Sequence, residues 1–389
     1  MHCKLTRRRM ISALGAAAAG SVLRPSEARA ADLPTAPVAI ARCNTYGTEL
    51  LPTLQTMFDQ LGGLTGLVAG KTVAIKVNLV SSPWGRLGDA PVELTHWTHP
   101  AVIGATVHLL GRAGARRIRL LECCNDSTGP FEEFIAEAGW NPNDILNAAP
   151  NVEFENTNGL GSGKSYSRIT CPGGGLVFPG YDLNHSYTDC DVLVSLAKMK
   201  EHHWFGVTLT MKNIYGMTPL NIYGNNAGED EPSIEVSGTR VAVFHNGIRP
   251  PSKSAPQELD LDSPREGGYR IPRIVAEINS ARPIHLAILD GIESMAGGEG
   301  PWYSNSRRVS PGVLLAGLNA VTTDAVAMAV MGFDPMADRG TPPFEDTDSF
   351  IRFAEELGLG TRDLGSIEVL GTSINEAWFD FRSAGVLAG

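Results

Sequence analysis

The chain has 389 residues, of which 43% are hydrophobic and 19% charged, with 43 Gly and 25 Pro. That composition excludes a disordered or collagen-like polymer and fits one large or two medium globular domains rich in turns. A formal net charge of −10 argues against a nucleic-acid partner, so any anionic ligand needs a local basic pocket.

Residues 1–30 read as a signal peptide. Thr6-Arg7-Arg8-Arg9 precedes a mildly apolar stretch from Met10 to Leu23, and Ala28-Arg29-Ala30 offers small residues for cleavage near Ala30. Paired arginines ahead of so weak an apolar run resemble a twin-arginine signal. The twin-arginine export machinery is then an expected partner, and the expected location is periplasmic or secreted. The apolar run is short of the ~20 residues that span a bilayer, so no stable membrane anchor is expected.

The elements follow in order. Residues 50–61 carry apolar side chains at helical spacing, and 72–79 form a β-rich run ending in Lys76 and Asn78. Pro100 opens a helix that Gly114 stops, residues 117–122 form a strand ending in Glu122, and 131–138 form a short helix before a strand at 152–154. Residues 156–188 read as hairpins or loop. Within them, Asn158 to Ser165 imitates a phosphate-binding loop, but Asn158 occupies the required first Gly position and no helix follows. Residues 191–196 and 285–290 read as buried strands and 218–270 as a loop-rich excursion. Helices at 271–278, 321–331 and 350–357 and strands at 313–316 and 367–370 follow. The rhythm implies an α/β fold: a mainly parallel sheet covered by helices, with a long loop-rich insertion. The expected organisation is a signal at 1–30, a core at 36–217 and 271–375, an insertion or lid at 218–270, and a tail at 376–389.

Six cysteines occur, of which Cys3 would leave with the signal. None shows C-x-x-C spacing, so no iron–sulfur cluster or zinc ribbon is expected. An oxidising compartment would permit one or two disulfides among Cys43, Cys123, Cys124, Cys171 and Cys190.

Ligands of open α/β sheets bind beyond the carboxyl ends of the strands, and here those ends are polar. Lys198, Lys200 and His202 alternate at period two after the 191–196 strand, and Lys212 and Asn213 follow a few residues later. In an acidic chain this cluster suggests a pocket for a carboxylate or phosphate; an exposed basic edge that deters strand pairing is the alternative. His202 with Asp290 or Glu122, or His99, are candidates to ligate a divalent metal, although no H-x-H or H-x-x-x-H pattern sharpens that. There is no G-x-S-x-G elbow, and Ser195 reads as structural.

Three groups of motifs together resemble the domain-of-unknown-function family 362: Val73-Ala74-Ile75-Lys76-Val77-Asn78 with Thr98-His99-Pro100; Lys198-Met199-Lys200-Glu201-His202 with Thr208-Leu209-Thr210-Met211-Lys212-Asn213; and Asp290-Gly291 with Gly298-Glu299-Gly300-Pro301 and Thr323-Asp324. The resemblance covers roughly 38–375. It implies an α/β fold and one shared pocket drawing on Lys76, Lys198, Lys200, His202, Lys212, Asn213, Asp290 and Asp324. Some relatives carry an iron–sulfur module, for which this chain lacks the cysteines. Asp324 also reads as a helix N-cap.

The expected function is an exported enzyme acting on a small anionic molecule. His202, Lys200 and Asp290 are the catalytic candidates; Lys76, Asn78, Lys198, Lys212 and Asn213 would bind the substrate. A periplasmic binding protein or a redox protein with a metal or organic cofactor are the alternatives.

Overall fold

The computed structural model describes residues 33–159, 166–236 and 238–383. The expected signal peptide and positions 160–165 of the phosphate-loop look-alike lie outside the described residues.

In chain order the strands are β1 (Val38–Arg42), β2 (Thr72–Lys76), β3 (Arg117–Glu122), β4 (Val152–Asn156), β5 (Tyr166–Thr170), β6 (Gly180–Asn184), β7 (Val192–Lys198), β8 (Lys200–His202), β9 (Gly206–Thr208), β10 (Leu286–Gly291), β11 (Ser294–Ala296), β12 (Arg307–Val309), β13 (Val313–Gly317) and β14 (Val369–Gly371). Eight of them make one sheet in the order β14-β1-β13-β10-β7-β2-β3-β4. Only β13 runs against its neighbours in that sheet, so it is mainly parallel. The remaining strands pair as the hairpins β5–β6, β8–β9 and β11–β12.

The central strands read as unbroken apolar runs because helices cover both faces. Alternate residues serve the two layers. Val192, Val194 and Leu196 of β7 pack with Leu286 and Ile288 of β10 against the helices Leu50–Gln60 and Pro100–Arg112. Leu193 and Ala197 pack with Ala287 and Leu289 on the other face, toward the helices Gly267–Ala281 and Ala320–Val330. The Pro100–Arg112 helix starts where the sequence implies: Pro100 takes the first turn, and the His99 side chain accepts from the Ala101 N–H at 3.1 Å. Among the described residues no helix is long and apolar enough to cross a membrane.

Four expectations need correction. Residues 218–270 do not stand off as a lid, because Ile222, Tyr223, Val243 and Phe244 are core residues. The stretch read as a tail from 376 buries Ala377 and Phe381. The five cysteines Cys43, Cys123, Cys124, Cys171 and Cys190 are all buried free thiols, and no disulfide joins them. The period-two reading of Lys198, Lys200 and His202 fails because the sheet strand ends at Lys198 and the chain re-pairs as the β8–β9 hairpin. β1 was not read from the sequence at all.

Candidate functional site

A cavity of ≈770 Å³ opens beyond the carboxyl ends of β2 and β3. It lies beside the point where successive strands begin to run outward in opposite directions, β2-β3-β4 one way and β7-β10-β13 the other. Lys76 enters from the end of β2, Glu122 from the end of β3, and Lys200 and His202 from β8. The short helix Thr210–Asn213 supplies Lys212, and the turn after it supplies Tyr215. Arg240 arrives from the 218–270 stretch and Glu299 from the loop between β11 and β12. Trp204, Phe205, Trp302 and Tyr303 form an aromatic side to the cavity.

The cavity lining holds both signs of charge, but not every cation is in contact with an acid. Lys76 Nζ sits 2.6 Å from Glu122 Oε1 and donates to Val77 O at 2.6 Å. The other Glu122 oxygen accepts from Leu79 N at 2.9 Å, so this pair is internally satisfied. Lys200 has no carboxylate partner among the described residues; its Nζ donates to the backbone oxygen of Glu299. Lys212 Nζ has none either and lies 4.3 Å from the Tyr215 ring centroid and 5.4 Å from that of Phe205. Burial lowers the Lys200 ammonium to about 7, with the neighbouring Lys212 and Lys198 charges adding and Glu299 opposing. Burial lowers Lys212 to about 8, again against Glu299.

His202 is pushed well below its ordinary value by burial and by the Lys212 and Lys200 charges, so it stands neutral. Its Nδ1 lies 3.4 Å from Glu299 Oε2 but without hydrogen-bond geometry. Tyr215 Oη and Asn78 Oδ1 are likewise buried with no hydrogen-bond partner among the described residues. Each such orphan costs about 1–3 kcal/mol. Three of them beside two unpaired lysines in one cavity describe a site shaped for a polar ligand.

Of the residues singled out in the sequence, Lys76, Asn78, Glu122, Lys200, His202, Lys212 and Asn213 line this cavity, and Lys198, Asp290, His99 and Asp324 do not. Asn213 is spent on the scaffold, donating to Lys76 O and Ser195 Oγ, each at 3.0 Å. Ser195 in turn donates to Thr210 O at 2.8 Å, a structural role. Lys198 corrects its assignment to the pocket. Its Nζ is held by Asp290 at 2.8 Å, Glu93 O at 2.8 Å and Tyr46 Oη at 3.2 Å. Asp290 is therefore the partner of Lys198 rather than of His202, and it also accepts from His99 N at 3.0 Å. His99 stacks on Tyr46 with centroids 3.5 Å apart. The metal candidates His99, His202, Glu122 and Asp290 thus fall into separate clusters, and among the described residues no three His, Cys, Asp or Glu side chains gather as a metal would need.

Asp324 is not an N-cap of its own helix, which Asn319 caps. It accepts from Thr210 N at 3.0 Å, Thr210 Oγ1 at 2.6 Å and Met211 N at 2.8 Å, and so fixes the turn that carries Lys212. Arg240, whose guanidinium donates to Thr218 O at 2.8 Å and lies 5.6 Å from the Tyr215 ring centroid, had no signal in the sequence. Glu299 was visible only as a member of a longer motif.

One relative, Thylakoid-associated protein sll1697 of Synechocystis sp., is 25% identical over 304 residues, covering 77% of this chain and 75% of its own. The lactate racemase apoprotein from Thermoanaerobacterium thermosaccharolyticum superposes with a TM-score of 0.36 and 13% identity, over 72% of this chain and 56% of that one. The profile of the family described as "Domain of unknown function (DUF362)" matches residues 73–329, which is most of the described chain and runs from within β2 to beyond β13, and the chain belongs to that family.

Proposed function

We propose that the chain is an enzyme acting on a small anionic molecule bound in the ≈770 Å³ cavity. The observation that carries this reading is the pair Lys200 and Lys212, two buried amines in one cavity with no carboxylate in contact among the described residues. Buried ammonium groups are costly unless paired, and a carboxylate or phosphate entering the cavity would pair with both. Turnover, rather than passive capture, is supported by Lys200. A lysine that only holds an anion gains by staying charged. Lys200, lowered by burial to about 7, divides between amine and ammonium at neutral pH and so could exchange a proton with a ligand. Neutral His202 would accept a hydrogen bond, and Asn78 and Tyr215 would orient the ligand.

Calorimetric titration with benzoate, phenylacetate and inorganic phosphate at pH 6 tests the pocket. The expected result is binding of at least one anion, weakened tenfold or more in Lys212→Met while the circular dichroism stays that of the parent. Equal binding by parent and variant, or none by the parent, would sink the reading.

We also propose that residues 1–30 direct export through the twin-arginine machinery, supported by Arg7-Arg8 ahead of a weakly apolar run. A fluorescent protein fused behind residues 1–40 should be exported folded, and Arg7→Lys with Arg8→Lys should hold it in the cytoplasm. Export that ignores the double substitution would refute this.

A further inference from the structure

Lys212 and Arg240 reach the cavity from different parts of the chain and gather on one ring. Lys212 Nζ lies 4.3 Å from the Tyr215 ring centroid, and the Arg240 guanidinium carbon lies 5.6 Å from it. Two like charges on one phenol repel each other, and among the described residues no carboxylate contacts either of them. Of the acids that border the same cavity, Glu122 is held by Lys76 at 2.6 Å and Glu266 by Arg339 at 2.8 Å. Glu299 accepts from His203 N at 3.2 Å and from Trp302 Nε1 at 3.3 Å, and Asp346 contacts neither cation.

Three sets of donors are left over around that ring. Arg240 Nε and Nη2 both donate to Thr218 O, which fixes the guanidinium plane and leaves Nη1 without a partner among the described residues. The Lys212 ammonium has only aromatic neighbours. Tyr215 Oη is buried with no hydrogen-bond partner among the described residues.

We propose that Lys212, Arg240 and Tyr215 form a subsite for a phosphoryl dianion, and that the ligand is a phosphate monoester with an apolar remainder. The proposal rests on the anion-pocket reading above and narrows it to one class of anion. A carboxylate brings two oxygens and one charge, so it would neutralise one cation and leave the other. A phosphoryl group brings two charges and three free oxygens, one for each donor set, and the Nη1–Nη2 edge of Arg240 suits it. A bare phosphate would leave most of the ≈770 Å³ empty. Contacts lead from the subsite to the aromatic side of the cavity. The Phe205 ring centroid is 5.4 Å from Lys212 Nζ and 4.9 Å from the His202 ring, and His202 Nδ1 is 3.4 Å from the Glu299 carboxylate that Trp302 donates to. Trp204 and Trp302 are 56% and 48% exposed there, an aromatic surface that an apolar ester group would cover.

The test is calorimetric titration of the whole protein with phenyl phosphate, phenylacetate and inorganic phosphate at pH 7.5. A phosphate monoester loses its second proton near pH 6, so it is a dianion there. Phenyl phosphate should bind at least tenfold more tightly than either of the others. Arg240→Gln should cost phenyl phosphate at least tenfold and phenylacetate less than threefold, a split that general loosening of the 218–270 stretch would not give. Tyr215→Phe removes only an unpartnered hydroxyl, so it should melt no lower than the parent and bind phenyl phosphate at least threefold more weakly. From pH 5.5 to 7.5 the ratio of phenyl phosphate to phenylacetate affinity should rise, because the titration of the lysines cancels in the ratio. If phenylacetate binds and phenyl phosphate binds no more tightly, or if Arg240→Gln weakens both alike, the subsite is refuted and the anion pocket stands. Inorganic phosphate bound as tightly as phenyl phosphate would overturn the ester. If none of the three binds, the pocket reading fails and takes the subsite with it.

Discussion

Lys198 and Asp290 face each other in register across β7 and β10, and the ion pair between them, 2.8 Å long, is 0% exposed on both sides. It lies on the sheet face opposite the one that Lys76 serves. A buried pair of this kind is costly to break because one charge is left alone. Asp290→Asn should therefore lower the unfolding free energy by about 3–5 kcal/mol in urea titration. Lys198→Met added to it should recover a large part of that loss. A double variant no more stable than Asp290→Asn alone would show that the pair is not the coupling unit.

The two cavity lysines make opposite predictions for the free and the bound protein. Unfolded lysines keep their protons up to about 10.4, whereas Lys200 and Lys212 release theirs at about 7 and about 8 in the fold. Between those limits the unfolded chain binds more protons, so these two groups make the free protein more stable as pH rises. Their destabilisation is complete below about 7. Anion binding needs the ammonium forms, so affinity should fall as pH goes from 6 to 9. Calorimetry with phenylacetate at three pH values checks the second statement, and comparing Lys200→Met with the parent by thermal melting checks the first. The variant should gain on the parent as the solution is made more acidic, and a constant difference would contradict the burial argument.

Asp324 acts on the site through Lys212 rather than on the ligand. Its carboxyl is raised to about 7 by burial, opposed by the hydroxyl and two N–H groups it accepts from. Asp324→Asn keeps the shape but turns one acceptor into a donor facing those groups. The cost should be about 1–3 kcal/mol of stability. Anion affinity should drop with it at a temperature where the variant is still folded. Unchanged affinity in a folded variant would mean that the Thr210–Asn213 turn holds its place without Asp324.

The thiols offer a direct check on packing. All five described cysteines are buried, and burial raises each of their pKa values. A thiol reagent at pH 8 should find almost none of them in the native protein and all of them after guanidinium is added. Rapid reaction of one or more in the native state would show a core more open than the one described.

The body of the fold was legible because each central strand is a short apolar run and each long helix has its own start and stop. The residues β1 uses are as apolar as the others, but Val38–Arg42 lies just behind a segment that reads as a signal and has no neighbouring strand signal to pair with. The site was legible in part. Polar residues at strand ends pointed to Lys76, Lys200 and His202, yet the same rule drew in Lys198. Deciding between them needs the register: Lys76 pairs with Ser195, so Lys198, an odd number of residues further on, must leave the opposite face. Arg240 could not have been found, because its place depends on how the irregular stretch around it folds back over Tyr215.

β1 is hydrogen-bonded on one side to β13 and on the other to β14, so its partners are residues 313–317 and 369–371. On the ribosome it is made before any of its neighbours. At about 5–20 residues per second it waits on the order of tens of seconds for the first of them. Growth of the chain can build the β2-β3-β4-β7 half and add β10, but β1 can join that sheet only after β13 arrives, and β14 pairs with its other side later still. β1 is thus locked in long after it is made, by two strands that lie far downstream of it in the chain.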